Sequence, residues 1–151
     1  MIKTSLTDVT TGRQAQIVDT PVGDVLVTTT TDKQYSYFKS EIRTTAGTTV
    51  VVQPQSGEAI SLTDILISAE KAAGMLLIQF TDGVQTVILF GIALTDAPAS
   101  FGVPLAGRWL GWRDARLEMV TDADFNALVA VGYTKIPSNH TLSYAEWDAE
   151  R

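Results

Sequence analysis

Between Thr48 and Ile136 the chain repeats one pattern: a run of β-branched and aliphatic residues, then a short stretch holding Gly, Asp or Pro. The runs are Thr48–Gln53, Ala59–Ala69, Met75–Phe80, Thr86–Leu94, Leu105–Trp112, Ala115–Thr121 and Ala127–Ile136. Each has the length of a strand, and none shows the 3.6-residue apolar recurrence that marks a helix. So many short strands in one region leave few folds open, because every strand must pair its backbone and cover at least one face. An antiparallel sandwich or barrel satisfies both demands. The expectation is an all-β protein whose residues 48–136 form a jelly-roll β-sandwich.

Within the longest run, a period of two places Ile60, Leu62 and Leu66 on one face and Ser61, Thr63, Ile65 and Ile67 on the other. The second face turns apolar midway, as in a strand covered on both sides. Asp82-Gly83 stands between apolar runs and predicts a hairpin with a type I′ turn, since Gly supplies the positive φ. Gly91 and Gly132 fall inside runs, where glycine marks a bulge or a close backbone approach. Ser68–Gly74 and Thr95–Ser100 read as loops.

The two ends differ from this middle. Residues 1–47 are polar and Thr-rich, with brief extended pieces at Ala15–Val18 and Val25–Thr29 and turn signals at Thr11-Gly12 and Val22-Gly23-Asp24. They read either as a loosely ordered extension or as an extended N-terminal arm. The strand preference of threonine favours the arm. Too few apolar residues are present for a core of its own. The arm is therefore expected to pair with a neighbour's sheet edge and bury Ile17, Val25, Val27, Tyr35, Tyr37 and Phe38. Residues 137–151 form a short C-terminal tail. Its Tyr144 and Trp147, set among acidic residues, suit either anchors for another protein's groove or a frayed terminus. Trp109 and Trp112 alternate on a strand, which sends one into the core and the other against a neighbour; sugar stacking on the exposed one stays open.

Charge narrows the partners. Charged residues make up 19% of the chain, below the roughly 25% usual for soluble domains, which leaves surface for interfaces. A net charge of −6 argues against nucleic acid. There is no cysteine, hence no disulfide, thiolate metal site or cysteine nucleophile. No apolar stretch of about 18 residues and no basic-then-apolar start occur, so neither a membrane span nor signal-peptide export is expected, and synthesis is cytoplasmic. Asp122–Asn126 opens like a calcium loop, but Ala127 stands where Gly is required and Tyr133 where Glu closes the motif. Asn139-His140-Thr141 matches a glycosylation acceptor without a secretory route, and His140 has no second ligand or nucleophile in its motif. Phosphate loops, G-x-S-x-G and HExxH are missing. The expectation is a protein that is not an enzyme and takes no cofactor or metal.

One resemblance extends this reading. The succession Val50-Val51-Val52, Ser56-Gly57-Glu58-Ala59-Ile60-Ser61-Leu62, Ile65-Leu66-Ile67-Ser68-Ala69 and Ile78-Gln79-Phe80-Thr81-Asp82-Gly83 resembles the jelly-roll domains of tailed-bacteriophage virion proteins. Ala106-Gly107-Arg108-Trp109 and Leu128-Val129-Ala130-Val131-Gly132-Tyr133 extend it over most of residues 48–136. The opening Leu6–Ala15 is similar to the start of such proteins. The resemblance implies a capsid decoration (cement) protein, bound to the outer capsid surface as a homotrimer. Its partner would be the major capsid protein or another virion protein, and its location the virion. The alternative it implies is a fibre or tail component that binds carbohydrate or a receptor.

Overall fold

The computed structural model describes residues 2–7, 13–20, 23–30 and 37–151, with backbone alone for the segments before residue 37 and for 106–108. It divides into two units, Met1–Tyr35 and Ser36–Arg151. In the first, β1 (Ile2–Thr7), β2 (Arg13–Thr20) and β3 (Gly23–Thr30) form an antiparallel sheet in that order. The expected arm is thus extended chain, but its strands pair with one another. Ile17 lies opposite Leu26, Val25 opposite Val18 and Val27 opposite Gln16. Tyr35 and the turn signal at Thr11-Gly12 lie outside the described residues.

The second unit holds eight strands: β4 (Tyr37–Arg43), β5 (Gly47–Val52), β6 (Ala59–Ala69), β7 (Met75–Thr81), β8 (Thr86–Ala93), β9 (Ala99–Leu110), β10 (Arg116–Thr121) and β11 (Ala127–Ile136). They make two four-stranded antiparallel sheets, β4-β11-β6-β9 and β5-β10-β7-β8. Every connection from β4 to β11 crosses between the sheets except the β7–β8 hairpin. That alternation is the jelly roll. The sandwich begins at Tyr37 rather than at Thr48, because Tyr37–Arg43 pairs along β11 from Tyr133 to Ala127. An edge strand needs little apolar character, so its mixed sequence hid it. Likewise β9 starts at Ala99, within the stretch read as a loop. It carries Pro104 within it, which an edge strand tolerates.

The core lies between the sheets. Val51, Ile60, Leu62, Ile67, Leu76, Ile78, Phe80, Leu117, Met119, Val129 and Val131 are all fully buried there. One bulge changes which side of β6 faces it. Leu62 pairs with Tyr133 and Asp64 with Gly132, so Thr63 is an extra residue in the ladder. Beyond Thr63 the faces exchange: Ile65 and Ile67 turn inward, while Leu66 is 48% exposed. An unbroken period of two had grouped Leu66 with Ile60 and Leu62, and the bulge overturns that. Gly132 sits against it, and a β-carbon there would lie 2.7 Å from Thr63 Oγ1.

The β7–β8 hairpin forms at Asp82-Gly83, with a different turn. Asp82 N–H donates to Gln85 O, and among the described residues of this turn positive φ falls on Gly83 alone. That is the first central position, as in type II′; type I′ requires positive φ at both. Asp82 Oδ1 accepts from Val84 N–H at 2.8 Å and Gln85 N–H at 2.7 Å, closing the turn with its own side chain.

Candidate functional site

The tail builds one end of the sandwich. Ser143 caps α1 (Tyr144–Glu150): its hydroxyl accepts from Glu146 N–H, and the Glu146 carboxylate accepts from Ser143 N–H at 2.8 Å. Donation from the Ser143 N–H and from its hydroxyl, at 2.8 Å, holds the exposed Glu146 carboxyl below its ordinary pKa. Before the helix, the buried Thr141 hydroxyl donates to Gly57 O and accepts from Arg113 Nε, and Arg113 N–H donates to Leu142 O. The helix therefore arrives already tied to the loops beside it.

Its aromatics then close over the core. Trp112, 1% exposed, meets Trp147 at 4.9 Å and Tyr144 at 5.0 Å between ring centroids, with Phe80 beneath at 6.3 Å. Trp147 Nε1–H donates to Leu110 O at 2.6 Å. Trp112 Nε1–H donates to Asp82 Oδ2 at 2.7 Å. Burial raises the Asp82 carboxyl, but donation from Gln85, Trp112 and Val84 outweighs it and holds the pKa below the ordinary value. Tyr144 and Trp147 pack on this chain's own Trp112 from an ordered helix, so the tail is not a frayed end. Trp109 packs against Phe90 at 5.6 Å, within its own chain. Leu89, Trp109, Leu142, Trp147, Glu150 and Arg151 border a shallow cleft of about 290 Å³. The Arg151 guanidinium lies over the Trp147 ring at 4.8 Å.

The outer face of β4-β11-β6-β9 is chemically unlike a wetted sheet. Register and the Thr63 bulge place Phe38, Ser40 and Ile42 of β4 beside Gly132, Ala130 and Leu128 of β11. Asp64, Leu66 and Ser68 of β6 come next, followed by Pro104, Gly102 and Ser100 of β9. Phe38 is 73% exposed and Ile42 67%. Asp64 is the single charge among these twelve positions, and it accepts from Thr63 Oγ1–H at 3.0 Å. An antiparallel sheet facing water usually carries polar side chains outward. This one carries apolar side chains, as a docking surface does. Of the residues singled out from sequence, Phe38 belongs to this face. Tyr37 instead stacks on Tyr133 at 5.4 Å, with Lys135 Nζ over its ring. Leu66 and Ile42 escaped notice, the first because of the bulge and the second because β4 was assigned to the arm.

The loop carboxylates tie the ends of the sandwich. Asp122 accepts from Met75 N–H, Asp124 from Ala46 N–H, Asp114 from Gly57 N–H, and Glu70 from Asn126 at both its backbone and side-chain amides. The stretch that opens like a calcium loop thus spends two of its carboxylates on backbone amides of other segments. Among the described residues no three His, Cys, Asp or Glu side chains gather at one point. His140 is exposed in a 3₁₀ turn, Ser138–His140. Glu118 is buried on the outer face of the other sheet and accepts from Arg116 Nε at 2.6 Å and Gln79 Nε2 at 2.9 Å.

Fold and surface together define the class: an antiparallel jelly-roll sandwich with a capped end, a largely uncharged outer sheet face and a separate three-stranded N-terminal sheet. No protein-family model matches the chain, and no curated protein is similar to it in sequence.

Proposed function

We propose that this chain is a structural protein of a tailed-bacteriophage particle, a capsid decoration protein that binds the outer capsid surface as a homotrimer and stabilises it. The major capsid protein is its partner. The observation that carries an assembly role is the outer face of β4-β11-β6-β9, where Phe38, Ile42 and Leu66 stand exposed with one charge among twelve positions. The resemblance of the strand succession to phage jelly rolls supports the kind of assembly. In this reading the N-terminal sheet contributes to attachment. The test is co-sedimentation of the full chain, and of a form lacking residues 1–30, with purified heads and with purified tails. Full-length protein pelleting with heads, and the shortened form pelleting less, supports the proposal. Protein that stays in the supernatant with both refutes it.

A second reading rests on the cleft beside Trp109 and Trp147. Two indoles with Glu150 and Arg151 at the border suit a sugar ring, which stacks on an aromatic and bonds to charged groups. This chain would then be a fibre or tail component that binds carbohydrate. Arg151 already covers the Trp147 face, which places this reading second. Saturable signal on a glycan array, lost in Trp109→Ala, would establish it.

A further inference from the structure

The two long sides of the sandwich are built differently. On the β4–β5 side, Arg43 reaches across both sheets: Nη1 donates to Thr48 O at 3.0 Å and Thr49 Oγ1 at 2.7 Å, and Nη2 to Ala46 O at 2.7 Å. Lys39 and Glu41, paired at 3.7 Å, continue the charged rim along β4. These are the devices by which a sheet edge is kept from pairing with other chains. The opposite side, formed by β8 and β9, carries little charge along most of its length; Arg108 lies near the end of β9, and Glu150 and Arg151 border the cleft beside Leu89 and Trp109. From Gln85 to Leu105 the sequence holds one ionisable side chain, Asp96, in the loop between the strands. Ile88 is 56% exposed there, Val103 41% and Phe101 37%.

Phe101 and Val103 are exposed for a reason of position. Their partners in the ladder, Ile67 and Ile65, are buried in the core. The same face of β9 therefore points into the sandwich, yet it remains partly open because no described residue of this unit closes the rim. Phe90 meets Phe101 at 6.4 Å across the gap between the sheets. Backbone addition is hindered on both strands. β8 carries an extra residue at Leu89, since Gln79 pairs with Ile88 and Ile78 with Phe90, and β9 carries Pro104. What remains is an apolar side-chain surface, not a template for a new strand.

We infer that the β8–β9 side is where copies of this chain meet, packing Ile88, Phe101 and Val103 against a second copy. This deepens the assembly role proposed above and rests on it for the expectation of three copies. Charge selects the occupant. Each copy carries a net −6, so two copies repel over most of their surfaces, and this neutral rim offers an approach without that cost. Between Gln85 and Leu105 a charged partner finds only Asp96 to meet. Size agrees as well. Eight residues of β8 at about 3.3 Å each, across two sheets about 10 Å apart with their side chains, give a rim of roughly 26 by 20 Å. That projects to roughly 500 Å² before side-chain relief, approaching the roughly 800 Å² per partner of a stable interface.

The test is the mass of the full chain in solution by light scattering at micromolar concentration. Wild type is expected at a multiple of 16.3 kDa. Ile88→Lys and Val103→Lys, both at exposed positions, should weaken association at least 100-fold and give the single-copy mass with an unchanged circular-dichroism spectrum. Val84→Lys, at the β7–β8 turn and 86% exposed, should keep the wild-type mass. A wild type at single-copy mass overturns the inference, as does a folded Ile88→Lys/Val103→Lys double variant that keeps the wild-type mass. Protein that assembles through this side but does not pellet with heads or tails refutes the particle role and leaves this contact standing. Protein that pellets with heads as a single copy does the reverse.

Discussion

Trp147→Ala is the sharpest probe of whether the last residues belong to the fold. A buried tryptophan covers about 150–250 Å², and Trp147 is half-buried, so truncation returns roughly 100–120 Å² of apolar contact to water. At about 25 cal/mol/Å² that is about 3 kcal/mol. The indole bond to Leu110 O adds about 1 kcal/mol. The expected loss is thus about 3–4 kcal/mol. For a unit of this size each kcal/mol moves the melting temperature by about 3–5 °C, so the variant should melt roughly 10–15 °C lower. Trp147→Phe keeps a ring against Trp112 but removes the donor, and should lose only about 1 kcal/mol. The assay is thermal unfolding followed in the far-ultraviolet and near-ultraviolet circular dichroism. If Trp147→Ala melted within about 2 °C of wild type, or Trp147→Phe fell as far as Trp147→Ala, the cap would not be held in the way described.

Three other perturbations follow from the same contacts. Asp82→Asn weakens a charge-assisted acceptor and should cost about 1.5 kcal/mol at pH 7. Because the folded carboxyl is depressed, its contribution is full above the unfolded value near 3.9 and fades as pH falls through the folded one; urea titrations at pH 7 and pH 2 should show the gap to wild type closing. Gly132→Val would drive a side chain into the Thr63 bulge, and a loss of about 2 kcal/mol is expected in the same titration. Phe38→Lys and Leu66→Lys, both solvent-exposed, should change stability by less than about 0.5 kcal/mol yet abolish pelleting with heads; normal pelleting would remove the outer face from the account.

The strands from Ala59 onward were largely legible because apolar runs and their Gly and Asp punctuation report local backbone geometry directly. Three features were not. The Thr63 bulge adds one residue to one ladder, and no composition signal distinguishes that from continued alternation, so Leu66 was grouped with Ile60 and Leu62. β4 reads as part of a polar arm because an edge strand carrying Lys39, Glu41 and Arg43 has no apolar pattern to detect; only its register with β11 reveals it. The destination of Trp147 was hidden for a different reason. A lone aromatic in a seven-residue helix is equally suited to another protein's groove or to its own, and the choice depends on Trp112, 35 residues earlier in the sequence, being left open at the end of the sandwich. The capping pattern Ser143-x-x-Glu146 was in plain view and marks the helix start.

The central claim is that this jelly roll is an assembly subunit docked on a phage head. It is tested most directly by sedimenting the full chain with purified heads, with tails as the comparison, over a range of added protein. Saturable pelleting with heads alone, lost in Leu66→Lys, is the predicted result. Pelleting with neither, or equal pelleting of wild type and Leu66→Lys, would contradict it.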